Sequence, residues 1–152
     1  MSQRSEELLR NRKVKKERLI AAGIDPYPPR FRRTHTAADA IALFEGEEAG
    51  SATTKSEVVV AGRIVRMRAM GRATFLDVQD STGRLQLFLR RDVLDDTYST
   101  IAELDLGDFV GAAGSLMRTK SGEISLSAVS LTVLAKSMRP PPEKFHGLRD
   151  QE

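Results

Sequence analysis

The 152-residue sequence contains no cysteine. Disulfide staples and thiolate metal ligands are excluded, so the fold must hold by its own core, which a chain of this length can bury. Two histidines, His35 and His146, stand far apart and make no metal pair by themselves. No apolar run approaches the roughly 20 residues that a membrane span needs. The start, Met1-Ser2-Gln3-Arg4-Ser5-Glu6-Glu7, lacks the apolar centre of a signal peptide, and a cytoplasmic location is the expectation. No Walker loop, nucleophile elbow or metal-ligand cluster occurs. Gly107-Asp108-Phe109-Val110-Gly111 carries two glycines but lies in a strand pattern, not a phosphate loop. Asp77 and Asp80 read as residues flanking a turn rather than as paired catalytic carboxylates.

What the chain does have is uneven charge. The net charge of +3 is modest. Arg10, Arg12, Lys13, Lys15, Lys16 and Arg18 crowd one segment, and Arg30, Arg32 and Arg33 another. Acidic residues gather later, at Glu45, Glu47, Glu48, Asp92, Asp95 and Asp96. Such asymmetry favours a polyanionic partner. A solvated helix face explains the first basic run equally well.

Residues 5–22 read as a helix with Ser5 as N-cap, Glu6 and Glu7 in the first turn and Gly23 as the stop. Its apolar stripe is thin (Leu8, Leu9, Val14, Leu19, Ile20), so it belongs on the surface, with cations placed to lean on phosphates. Ile24-Asp25-Pro26-Tyr27-Pro28-Pro29-Arg30-Phe31 is an extended connector, pinned to the body of the protein by Tyr27 and Phe31. Thr36 caps a short helix over residues 37–45, with Asp39 at the capping-box position and Gly46 as its end. Residues 46–56 are small and polar, a loop.

Strand patterns follow over residues 58–68, 74–79 and 84–90. Gly62 marks a bend, and turns fall at Met70-Gly71-Arg72 and Asp80-Ser81-Thr82-Gly83. Residues 92–104 turn helical, with Val93, Leu94, Tyr98, Ile101 and Leu104 at three- and four-residue steps. Two more strands cover residues 109–118 and 123–134, joined by Thr119-Lys120-Ser121-Gly122. In the last, Ile124, Leu126 and Ala128 share one face and Val129, Leu131 and Val133 the other, which predicts a bulge near Ala128. Three strands, a helix and two strands predict a mainly β protein: a five-stranded Greek-key OB-fold barrel with an N-terminal helical extension and a helix between strands three and four. Another small barrel fits the same pattern. The expected division is residues 1–56 for the extension, 57–135 for the barrel and 136–152 for a proline-stiffened linker.

Alternation puts Leu85, Leu87 and Leu89 inward and Gln86 and Phe88 outward. Phe75 lies on the face opposite Leu76 and Val78. Aromatic platforms among cations are what a single-strand binder needs. Gln86 offers a donor and an acceptor to a base edge, and Arg68 adds donors. The plainer alternatives are a core role for Phe75 and surface decoration for Gln86 and Arg68.

Several stretches together resemble the N-terminal anticodon-binding region of bacterial-type class II lysyl-tRNA synthetases. They are Asp25-Pro26-Tyr27-Pro28, Ala61-Gly62-Arg63, the run Arg68-Ala69-Met70-Gly71-Arg72-Ala73-Thr74-Phe75, Leu85-Gln86-Leu87-Phe88, Asp105-Leu106-Gly107-Asp108, Arg118-Thr119-Lys120-Ser121-Gly122-Glu123 and the run from Arg139 to Leu148. The resemblance implies that the barrel grips the anticodon stem-loop of tRNA(Lys) and reads its central uridine. Phe75 would stack on that base, and Gln86 and Arg68 would hydrogen-bond its edge. Glu123 would add a loop contact, and Phe88 stands where the family often has an aromatic. The basic helix, through Arg12, Lys13 and Lys16, would follow the tRNA backbone. Arg72, Ser121 and Pro141 depart from the family's usual lysine, threonine and leucine. The resemblance also places the family's ATP, magnesium and lysine sites, and most of its dimer contact, beyond Glu152. It therefore implies no cofactor and no aminoacylation in this chain, which is expected to be monomeric. The sister domains of aspartyl- and asparaginyl-tRNA synthetases share the central uridine and are the nearest alternative. A sequence-tolerant single-strand binder and a purely protein-docking barrel are the others.

Overall fold

A computed structural model describes residues 3–24, 31–49 and 57–138. Its strands are β1 (Val58–Met70), β2 (Ala73–Asp80), β3 (Gly83–Arg90), β4 (Phe109–Arg118) and β5 (Ile124–Ala135). They close into a barrel in the order β1-β2-β3-β5-β4, with β4 returning to β1. All pairings are antiparallel except β3 with β5. The expected five-stranded barrel is found, with helical structure before it and between β3 and β4.

β1 serves two neighbours. Its first half pairs with β4 and its second with β2. A strand shared in this way must bend, and the register shifts between Ile64 and Arg66. The irregularity thus falls after Gly62 rather than at it. Gly62 instead permits a close approach of two strands, since a Cβ there would meet the Gln79 carbonyl oxygen at 3.0 Å. The shift leaves Ile64 buried while Arg66 and Arg68 are exposed.

The β2–β3 turn is built on Asp80. Its Oδ1 accepts from Thr82 N at 2.8 Å, Thr82 Oγ1 at 2.6 Å and Gly83 N at 3.1 Å. Its Oδ2 accepts from Ala37 N at 2.8 Å, at the start of α2 (Ala37–Ala49). The resulting register sets Leu76 opposite Leu87 and Val78 opposite Leu85, all buried. Burying each such side chain is worth about 1.5–3 kcal/mol.

In β5 the expected bulge is present. Gly114 pairs with Ala128 and Ala113 with Ser130, so Val129 is the extra residue. It is 54% exposed, whereas Leu131 and Val133 are buried with Leu126 and Ala128. The bulge therefore keeps the later residues inward, and Val129 does not share their face. Gly114 lies where strands cross so closely that a Cβ would collide with the Ser127 carbonyl.

The helices differ in detail from the sequence pattern. α1 (Gln3–Ala21) begins before Ser5, so Ser5 is inside it rather than its cap. Its end is as expected: Gly23 N donates to the Ile20 carbonyl and Ile24 N to the Leu19 carbonyl, with Leu19 in the core and Ile24 against it. Thr36 and Asp39 form the expected reciprocal cap of α2, with Asp39 N donating to Thr36 Oγ1 at 3.0 Å. α2 runs through Gly46 to Ala49; Phe44 and the Arg118–Glu48 ion pair attach it to the barrel, and tertiary contact outweighs glycine's weak propensity. Between β3 and β4 there is one α-turn, α3 (Arg91–Leu94), followed by a 3-10 helix (Asp95–Glu103). Asp95, at φ +54°, breaks the helical path where the two meet; Leu94, Ile101 and Leu104 are buried and Val93 is exposed. Phe31 lies against Gly111, where a Cβ would collide with its ring. Tyr27 and, of the linker expected over residues 136–152, residues 139–152 lie outside the described residues.

Burial by itself would raise the Asp80 pKa, but the hydrogen bonds from Thr82, Ala37 and Gly83 outweigh it and hold the carboxyl below its ordinary value. A folded pKa below the unfolded one means that protons favour the unfolded chain. This stabilisation is complete above the ordinary aspartate pKa of about 3.9 and is lost as pH falls below it. Asp80→Asn should therefore be less stable than the parent near neutral pH, with the gap narrowing as pH is lowered through about 4 to 3. Urea unfolding at several pH values checks this, and a gap independent of pH would contradict it.

Candidate nucleic-acid interface

The register of β1, β2 and β3 builds the outer face row by row. Arg68 stands opposite Phe75, which stands opposite Phe88. The adjacent row on this face is Arg66, Asp77, Gln86 and, across the parallel pairing, Ser125. Beyond it come Arg63, Gln79 and Arg84. Cations thus border the aromatic pair along β1 and β3.

Phe75 and Phe88 are stacked, with centroids 5.0 Å apart and planes 20° from parallel. Both are half-buried and outside the core cluster. A core role for Phe75 is therefore replaced by a surface one, because Leu76 and Val78 take the interior. The Arg68 guanidinium lies over the Phe75 ring, 5.4 Å from its centroid. At an exposed site such a contact is worth about 0.5–1 kcal/mol, less than the roughly 1–3 kcal/mol of a stacked base. On these magnitudes a stacked base outcompetes the guanidinium for the ring face.

Gln86 has the outward parity expected of it, but it is not a freely exposed side chain. It is 7% exposed, and its Oε1 accepts from Ser125 Oγ at 2.6 Å. Its Nε2 makes no hydrogen bond to any described residue. A buried, unspent donor next to two stacked rings is a feature that asks for an acceptor from outside. Nothing in the sequence draws attention to Ser125, because the parallel β3–β5 pairing that brings it to Gln86 has no local signature.

Glu123 is exposed and immediately precedes β5, two residues from Ser125. Its loop is braced from both sides. Thr119 N donates to the Glu123 carbonyl and Glu123 N donates to Thr119 Oγ1. Arg118 donates to both oxygens of Glu48, at 2.6 and 2.8 Å, and to the Gly122 carbonyl at 2.7 Å. The Arg118 hydrogen bond is the main cause that lowers the Glu48 pKa.

The basic helix divides its charges. Arg12 is 7% exposed, and its guanidinium donates to the carbonyls of Leu106 and Ser137, both at 3.2 Å. It is an internal anchor rather than a surface cation, because the helix face that carries it packs on the 3-10 helix and on the segments that enter β4 and leave β5. Lys15 Nζ bonds Asp105 Oδ1 at 2.7 Å, and fully buried Lys136 bonds Asp105 Oδ2 at 2.6 Å and Asp108 Oδ2 at 2.7 Å. Burial would raise the Asp105 pKa, but the two lysines outweigh it and lower it. Lys16 is half-buried and engaged within the chain, whereas Lys13 is exposed. The structure does not gather these helix residues with the Arg68–Phe75–Phe88 row: α1 packs on the 3-10 helix and the end of β5. Among the described residues, no three His, Cys, Asp or Glu side chains group to hold a metal, and no helix is long and apolar enough to cross a membrane.

Arg12→Ala should lower folding stability by about 1.5–3 kcal/mol, the scale of hydrogen bonds made by charged groups. Lys13→Ala should stay within about 0.5 kcal/mol of the parent. Chemical denaturation of both variants decides it: equal, small effects would mean that Arg12 is not an anchor.

Comparison with known proteins adds to this geometry. A family model described as an OB-fold nucleic acid binding domain, of the tRNA anticodon group, matches residues 58–134. The chain is 45% identical over 149 residues to a lysine–tRNA ligase of Dehalococcoides mccartyi, covering 97% of this chain and 30% of the relative. It is 46% identical over 147 residues to that of Pelotomaculum thermopropionicum, covering 96% and 28%. It is 46% identical over 154 residues to that of Roseiflexus castenholzii, covering 96% and 30%. The chain thus spans about three tenths of the length of these curated relatives.

Proposed function

The chain belongs to the tRNA anticodon family of OB-fold nucleic acid binding domains, and from that premise we propose that it is the anticodon-binding part of a lysine–tRNA ligase, one that holds the anticodon stem-loop of tRNA(Lys) and reads its central uridine. The observation that carries the reading is the stacked Phe75–Phe88 pair, flanked by Arg68 and by the unspent Nε2 of Gln86.

In this reading the central base stacks on Phe75, with Phe88 supporting the ring from β3. Arg68, displaced from the ring, and Gln86 bond the base edge. Glu123, at the base of a braced loop, contacts the anticodon loop. Exposed Lys13 contributes to the tRNA backbone, where charge gives affinity without sequence information. Arg12 and Lys16 act there only through the helix they help to seat. In this reading ATP, magnesium, lysine activation and the homodimer contact would fall to the part of such a ligase that this chain does not span. The chain then works as a cytoplasmic RNA-binding module, monomeric by itself.

A general single-strand binder is the second reading, favoured by the arginines that border the rings. It predicts affinity that depends on salt and not on sequence. Within a lysine-specific reading, the identities to lysine–tRNA ligases argue against the aspartyl and asparaginyl sister domains.

Phe75→Ala should weaken binding to a UUU anticodon stem-loop by about 1–3 kcal/mol while the barrel stays folded, since the ring lies outside the core. Fluorescence anisotropy of the labelled stem-loop measures it. Unchanged affinity in a folded variant would remove the stacking role.

A further inference from the structure

We infer that Ser125 is a positioning residue for base choice: its buried hydroxyl holds the Gln86 amide with its oxygen turned inward and its NH2 group turned toward the bound base. The inference deepens the proposed reading and rests on it.

Ser125 is 0% exposed, and its Oγ lies 2.6 Å from Gln86 Oε1. A serine hydroxyl can donate or accept, so the contact alone permits either amide orientation. The proton decides between them. Gln86 Oε1 is the one acceptor that the described residues give to the Ser125 hydroxyl. With the amide turned round, Ser125 would accept from Nε2 and its own proton would be buried with no partner, an arrangement that folded proteins avoid. The favoured state therefore satisfies the serine and leaves the Gln86 NH2 unspent.

That orientation has a consequence for the ligand. Gln86 then presents donors only. At the C4 edge of a pyrimidine, uracil carries a keto oxygen, which accepts, and cytosine an amino group, which does not. A base held against Phe75 with that edge on Gln86 is accepted as uracil and opposed as cytosine. Ser125 touches no base. Without its hydroxyl the amide is free to turn, and its oxygen can then accept from a cytosine amino group.

The test compares the parent chain, Ser125→Ala and Gln86→Ala on two anticodon stem-loops that differ only in the central base, U or C. The expected result is a preference for U in the parent, largely lost in Gln86→Ala. In Ser125→Ala it should fall about tenfold, the scale of one hydrogen bond, mainly through tighter binding of the C loop. No parent preference would overturn the proposed reading itself. A parent preference that Gln86→Ala abolishes and a folded Ser125→Ala keeps at full ratio would overturn this inference alone. An independent check needs no variant. In the NMR spectrum of the parent chain, the Gln86 side-chain amide protons should give only weak NOEs to the Ser125 β-protons. Strong NOEs there would mean that Nε2 faces Ser125, and the inference would fall.

Discussion

The Asp80 carboxylate closes the β2–β3 turn through one oxygen and fastens the first turn of α2 through the other. The outer face depends on that register. In a strand the side-chain period is two, so a slip of one residue would send the phenylalanines inward and the leucines out. With the turn fixed, Phe75 and Phe88 stand opposite each other and stack, and Gln86 falls on the row that Ser125 can reach. A small polar turn thus sets the geometry of a site several residues away along both strands.

A second constraint works where the chain enters β4 and leaves β5. Lys136 is fully buried between Asp105 and Asp108, and Lys15 and Arg12 of α1 join the same group. A buried ion pair is weak evidence of net stability, but removing one partner is costly. It therefore specifies one arrangement: α1, the turn before β4 and the end of β5 are held to each other. The charges of the chain accordingly do two jobs. Part of the basic helix is spent on construction, while the arginines of β1 and β3 face outward around the rings.

The barrel is legible in the sequence because its signals are local. Alternation of Leu85, Leu87 and Leu89, the turn residues around Gly71 and Gly83, the break at Gly23 and the parity change near Ala128 each need only neighbouring residues to be read. Phe75 and Phe88 are legible for the same reason: both fall on the parity opposite the core. What sequence does not reveal is what depends on distant pairing. Arg12 looks like a surface cation because its carbonyl partners at Leu106 and Ser137 are about a hundred residues of chain away in a folded arrangement that no local pattern encodes. Gln86 looks solvent-facing because parity gives the side of a strand but not what covers it, and its partner comes from β5. Gly46 looks like a helix end, yet Glu48 beyond it is held by Arg118, and that contact carries the helix further.

The central claim is that the β1–β2–β3 face reads a base rather than merely attracting a polyanion. The most direct measurement is binding of the unmodified chain to a UUU anticodon stem-loop and to the same loop with C at the centre, each at low and at higher salt. The account predicts a preference for central U that survives the added salt, since base contacts are not counterion effects. Equal binding that fades together as salt rises would contradict it and leave only a cationic barrel.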